Sequence, residues 1–79
     1  MARKQVTLIF PPHLIKEPVI YKMAKEYDVV PNIRRARVTE SVGEVTLEIE
    51  GSDESLKKAV MFLEKKGVKV EPVVGDVVS

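Results

Sequence analysis

A chain of 79 residues holds one domain, because a sequence this short buries roughly 60% of its unfolded surface, enough for one thin two-layer core. Its 44% hydrophobic and 32% charged residues are those of an ordinary soluble globular domain, and 13 basic residues against 12 acidic ones leave a formal charge of +1, so no overall field recruits nucleic acid or an anionic membrane. The absence of cysteine excludes disulfides, iron–sulfur ligation and thiol catalysis; no apolar run approaches the ~20 residues that span a bilayer, and the N-terminus lacks a signal-peptide core, which points to the cytoplasm.

Residues 4–10 alternate, with Val6, Leu8 and Phe10 on one face and Gln5, Thr7 and Ile9 on the other. This is the period of a strand. Pro11 and Pro12 end it, since neither donates to a ladder. Pro18 suits the first position of a helix, where its missing N–H costs nothing. Val19, Ile20, Met23, Ala24 and Tyr27 then recur at helical spacing, with Lys22, Lys25 and Glu26 outside that stripe. Pro31 is expected to stop the helix and pass the chain to a second strand.

That strand carries the sequence Asn32-Ile33-Arg34-Arg35-Ala36-Arg37-Val38 and extends to about Glu40. Ala36 and Val38 share one side of an extended chain, while Arg35, Arg37 and Thr39 share the other. Ile33 falls on the arginine side, so the apolar register breaks where the strand opens. A bulge explains such a break, as does an apolar side chain turned outward from the core; a strand that starts one residue later, with Ile33 under a loop, explains it equally.

Ser41, Val42 and Gly43 form a turn into a third strand, in which Val45, Leu47 and Ile49 oppose Glu44, Thr46, Glu48 and Glu50. Ser52 or Asp53 caps a second helix whose stripe is Leu56, Ala59, Val60 and Leu63. Lys65, Lys66 and Gly67 close it. Val68 to Glu71 alternate as a fourth strand, and Pro72 suits a sheet edge. The domain is set at residues 1–74, with residues 75–79 as a loose tail. The order β-α-β-β-α-β gives an α+β, ferredoxin-like domain: a four-stranded antiparallel sheet in the order 4-1-3-2, with two helices on one face.

The open sheet face then carries Thr7 and Ile9, the arginines of the second strand, and Thr46, Glu48 and Glu50. Arginine facing glutamate across strands is structural or belongs to a dimer interface. RNA recognition on this fold needs aromatic rings on the central strands, where Thr, Ile and Glu stand instead. The loop after the first strand has neither the C-x-x-C of a copper chaperone nor the arginine of an acylphosphatase phosphate loop. His13 is the one histidine, so no metal cofactor is expected, and no nucleophile is paired with a base. The chain reads as a binding protein rather than an enzyme. Asn32 offers an acceptor and a donor that match the ammonium and carboxylate of a free amino acid; it serves equally as an Asx turn after Pro31.

Three groups of residues, taken in order, point to a family. Phe10-Pro11-Pro12 is followed by Lys16-Glu17-Pro18-Val19-Ile20-Tyr21; then come Asn32-Ile33, Ala36 and Val38; then Phe62-Leu63 and Gly67-Val68-Lys69-Val70-Glu71. Together they resemble the NIL domain, with Arg34 in place of the leucine that completes that name. The resemblance implies an ACT-like regulatory module like those of methionine-importer ATPase subunits and of proteins with ferredoxin modules. It implies methionine or a similar amino acid bound by Asn32 and Ile33, and a homodimer built on Arg35, Ala36, Arg37 and Val38. It also keeps open an accessory module that binds no ligand and docks a transporter ATPase or a ferredoxin-type protein of sulfur metabolism.

Overall fold

The computed structural model of the chain describes residues 2–73. The element order is β1 (Ala2–Phe10), a 3-10 turn (Pro12–Leu14), α1 (Val19–Tyr27), β2 (Val30–Val38), β3 (Gly43–Gly51), α2 (Asp53–Lys66) and β4 (Lys69–Pro72). The four strands pair antiparallel in the order β2-β3-β1-β4, so the expected ferredoxin-like topology is the observed one, with β2 and β4 at the edges. The expected tail, residues 75–79, lies outside the described residues.

Alternation along β1 and β3 sends Val6, Leu8, Phe10, Val45, Leu47 and Ile49 inward, where they meet Val19 and Met23 of α1 and Leu56, Ala59 and Leu63 of α2. Both helices therefore cover the middle of the sheet. Their cover stops short of β2, in which only Pro31 is even half-buried.

The ends of α1 differ from the sequence expectation. Pro18 sits one position earlier, as the cap, and its carbonyl accepts the first helical bond from the Lys22 N–H at 3.0 Å. The helix is ended by Asp28, not by Pro31. Asp28 adopts left-handed backbone angles (φ 55°, ψ 48°), a conformation that short polar side chains tolerate. Pro31 lies inside β2, which an edge strand permits because one side of its ladder is free.

The second helix follows its sequence signals closely. The Ser52 Oγ accepts from the Ser55 N–H at 3.0 Å, and Asp53 and Glu54 occupy the first turn. At the other end Gly67 takes φ 103°, while the Val68 N–H reaches back to the Leu63 carbonyl at 3.0 Å. The open side of the Ser52 cap makes its removal informative. Ser52→Ala should cost about 0.5–2 kcal/mol and lower the melting temperature by roughly 4–8 °C per kcal/mol in a domain of this size. Thermal unfolding followed by circular dichroism checks it, and an unchanged melting temperature would remove the cap from the list of stabilising contacts.

Candidate functional site: the β2 edge and its pocket

Pairing with β3 sets the orientation of every residue in β2. Asn32 stands opposite Glu48, Ile33 opposite Leu47, Arg35 opposite Thr46, Ala36 opposite Val45, Arg37 opposite Glu44 and Val38 opposite Gly43. The register shifts between Ile33 and Arg35, so Arg34 is the extra residue of a bulge. Unbroken alternation puts Ile33 with the arginines; the bulge reverses that parity. Directly opposed residues share a face, and Leu47 and Val45 point into the core, so Ile33, Ala36 and Val38 all lie on the helix side. The helices leave them uncovered. Ile33 is 56% exposed and Val38 60%. Two of the explanations for the register break thus hold together: a bulge, and an apolar side chain outside the core. The strand does not begin late, since it opens at Val30.

Asn32, Arg35 and Arg37 lie on the opposite, helix-free face. Asn32 is in the strand rather than in a turn, and its exposed side chain makes no hydrogen bond to another described residue. The Asx-turn alternative is therefore not realised. Asn32 and Ile33, joined in sequence, project to opposite faces of one strand. The arginine–glutamate pairing is realised in register only between Arg37 and Glu44, and Arg35 meets Thr46. One ion pair on this face joins β1 to β3 instead, with the Arg3 Nε 2.8 Å from Glu50, and another joins Lys69 to Glu71 along β4 at 3.4 Å. The hydrogen bond and charge of Glu50, with Glu48 nearby, hold the Arg3 guanidinium above its ordinary pKa. Beside it, the Thr7 and Thr46 hydroxyls share a hydrogen bond of 3.0 Å.

At the Val38 end of β2 the helix side opens into a cavity of about 210 Å³. Phe10, Ile15, Val19, Ile20, Val38 and Val45 supply its apolar wall, Glu17 the ionisable group, and Tyr21, 63% exposed, stands at its rim. Gly43 makes the close passage possible: a Cβ there would stand 3.0 Å from the Ile15 Cγ1 and 3.2 Å from the Phe10 Cβ. Sequence reading missed this pocket. Its walls come from four separate segments, and each residue alone carried only an apolar signal. One clue was present, since Phe10, Glu17 to Tyr21 and Val38 all belong to the motif groups quoted for the family resemblance.

His13 is exposed on the 3-10 turn, and among the described residues no group of three His, Cys, Asp or Glu side chains is placed to hold a metal ion. No described helix is long and apolar enough to cross a membrane.

The family model of the NIL domain matches residues 4–72. The methionine import ATP-binding protein MetN 2 of Acinetobacter baylyi is 37% identical over 59 residues, which make up 70% of this chain and 17% of that protein. The chain thus spans about a sixth of that relative's length. The crystal structure of the C-terminal domain of an ABC transporter ATP-binding protein from Enterococcus faecalis superposes with a TM-score of 0.79 at 25% identity, over 92% of this chain and 86% of that one. The de novo designed protein Foldit4 shares the fold alone, with a TM-score of 0.56 at 16% identity over 87% and 89% of the two chains.

Proposed function

The chain belongs to the NIL domain family, and on that basis we propose that it is a non-enzymatic regulatory module which binds methionine or a related sulfur amino acid between two copies of itself. One observation carries the reading. An apolar row of Ile33, Ala36 and Val38 lies exposed on a sheet edge to which no other described strand pairs, and runs into the pocket beside α1. An edge with free N–H and C=O groups and an apolar flank is a template for another strand, and a twofold pairing satisfies it on both copies at once.

Antiparallel pairing of two β2 edges lays the Val30 end of one strand beside the Val38 end of the other. The partner's Ile33 then comes to the mouth of the pocket on the helix side, while Asn32 of both copies stays on the helix-free face, because a twofold that pairs edges antiparallel keeps the faces of the sheet. Ile33 thereby serves the apolar end of the site across the interface, and Asn32, with Arg35 and Arg37 on the same face, reaches it around the edge of β2. At about 210 Å³ the pocket is smaller than the roughly 300–1,000 Å³ that drug-sized ligands fill, and it suits a thioether side chain. Asn32 and the β2 edge groups left outside the paired stretch supply partners for the ammonium and carboxylate.

A ligand held in this way acts through its higher affinity for the paired arrangement. The matched relatives are transporter ATP-binding proteins, which makes a cytoplasmic transporter ATPase the partner that such a signal would reach. Sedimentation velocity at micromolar protein, with and without millimolar methionine, tests the assembly. A dimer strengthened by methionine is expected, reverting to monomer in Ile33→Lys/Val38→Lys. Monomer alone in both conditions overturns the reading.

A further inference from the structure

A second surface lies on the helix layer, where the side of α1 meets that of α2. Two hollows adjoin there and share the Phe62 ring as a common wall. Five lysines line them (Lys22, Lys25, Lys58, Lys65 and Lys66) against one carboxylate, Glu26. On α2 the spacing explains the bias: Lys58, Phe62, Lys65 and Lys66 fall at i, i+4, i+7 and i+8 and share one side, while Glu64 lies across the helix. The floor is apolar, and Tyr27 and Phe62 join the helices with ring centroids 5.3 Å apart.

Lys22 pairs with Glu17 at 3.7 Å and Lys58 with Glu54 at 3.1 Å. Lys25, Lys65 and Lys66 have no carboxylate of another described residue within ion-pairing distance. The helix dipoles favour cations in the last turn of each helix, which accounts for these three taken singly. It does not account for Tyr21 and Met61, which stand beside them 63% and 55% exposed.

We propose that this seam docks an acidic, amphipathic segment of another protein, whose apolar side chains enter the hollows while its carboxylates meet Lys25, Lys65 and Lys66. Charge complementarity selects the partner. Concavity selects a protein segment over a bilayer, because a flat surface touches the ridges and leaves the hollows unfilled. The rings argue against bases, since the Lys25 and Lys66 ammoniums each stand 5.9 Å over a ring centroid, of Tyr21 and Phe62 respectively, and occupy faces that stacking would use. Except for Tyr21, which also rims the β2 pocket, the surface is separate from the proposed ligand site.

The test is a titration of the isotope-labelled chain, followed by amide chemical shifts, with a synthetic peptide of about 14 residues, long enough for a marginal helix, bearing glutamate and leucine at helical spacing. Saturable shifts confined to α1 and α2 are expected, with affinity at least about tenfold lower in Lys25→Glu/Lys65→Glu/Lys66→Glu and in about 0.5 M salt. Ile33→Lys/Val38→Lys should bind the peptide as the parent does, which separates this surface from the β2 site. Absence of saturation, or equal binding of a peptide with lysine for glutamate, overturns the proposal. Saturation by phosphatidylserine vesicles or by a single-stranded oligonucleotide, without saturation by the peptide, also overturns it.

Discussion

Leu47→Ala is expected to lower the stability of the domain by about 2–5 kcal/mol. Leu47 is wholly buried in β3, an interior strand that pairs with β2 on one side and β1 on the other. It belongs to the same core cluster as Leu8, Met23 and Leu63. Truncation removes the transfer energy of the lost carbons and leaves a void that a sheet ladder on both sides keeps from closing. A core of this size rarely supplies more than roughly 3–5 kcal/mol. The variant should therefore be largely unfolded at the upper end of that loss, and its urea midpoint should fall sharply at the lower end. Ile33→Ala in the free protomer is the control, with a change within about 0.5 kcal/mol. A Leu47→Ala midpoint equal to that of the parent would mean the core is not packed as described.

The contrast between these two residues shows how far the sequence could be read. Leu47 sits in an unbroken alternation, Gly43–Gly51, and period two assigns its face without knowledge of the partner strand. Ile33 sits beside a bulge. One extra residue, Arg34, inverts the parity of everything before it, and nothing in the local sequence counts residues against the neighbouring strand. Gly67 was legible as the stop, and the cap as Ser52 or Asp53, because each acts within its own turn. Asp28 was not, since an aspartate in the left-handed conformation carries no signal comparable to glycine. Asn32 after Pro31 suited a turn as well as a strand, and only the pairing of β2 with β3, which sets Asn32 opposite Glu48, decides for the strand. The pocket was beyond local reading altogether: Phe10, Ile20 and Val38 meet through the fold, and its volume depends on the missing side chain at Gly43.

Asn32→Ala is expected to weaken methionine binding by about ten- to several-hundredfold. The amide side chain is exposed and makes no hydrogen bond to another described residue, so its loss should change the stability of the free domain by no more than about 0.5 kcal/mol. In the proposed complex the same group meets a charged ammonium or carboxylate, and one such bond contributes roughly 1.5–3 kcal/mol, which converts to the stated range for one bond or for two of the weaker kind. Ile33→Ala removes apolar contact only. Its loss of about 1–3 kcal/mol should fall mainly on ligands with long apolar side chains. Melting temperature and affinity measured on the same Asn32→Ala sample separate binding from folding. A lowered melting temperature with unaltered methionine affinity would take Asn32 out of the site.

The most direct measurement is calorimetric titration of the unmodified chain with methionine, run beside leucine, glutamate and lysine. Saturable heat with methionine, weaker with leucine and absent with the two charged side chains, is the result expected of an apolar pocket closed by a polar edge. No saturable heat with methionine at millimolar concentration, from a chain that still sediments as a dimer, would contradict amino-acid binding at the β2 edge.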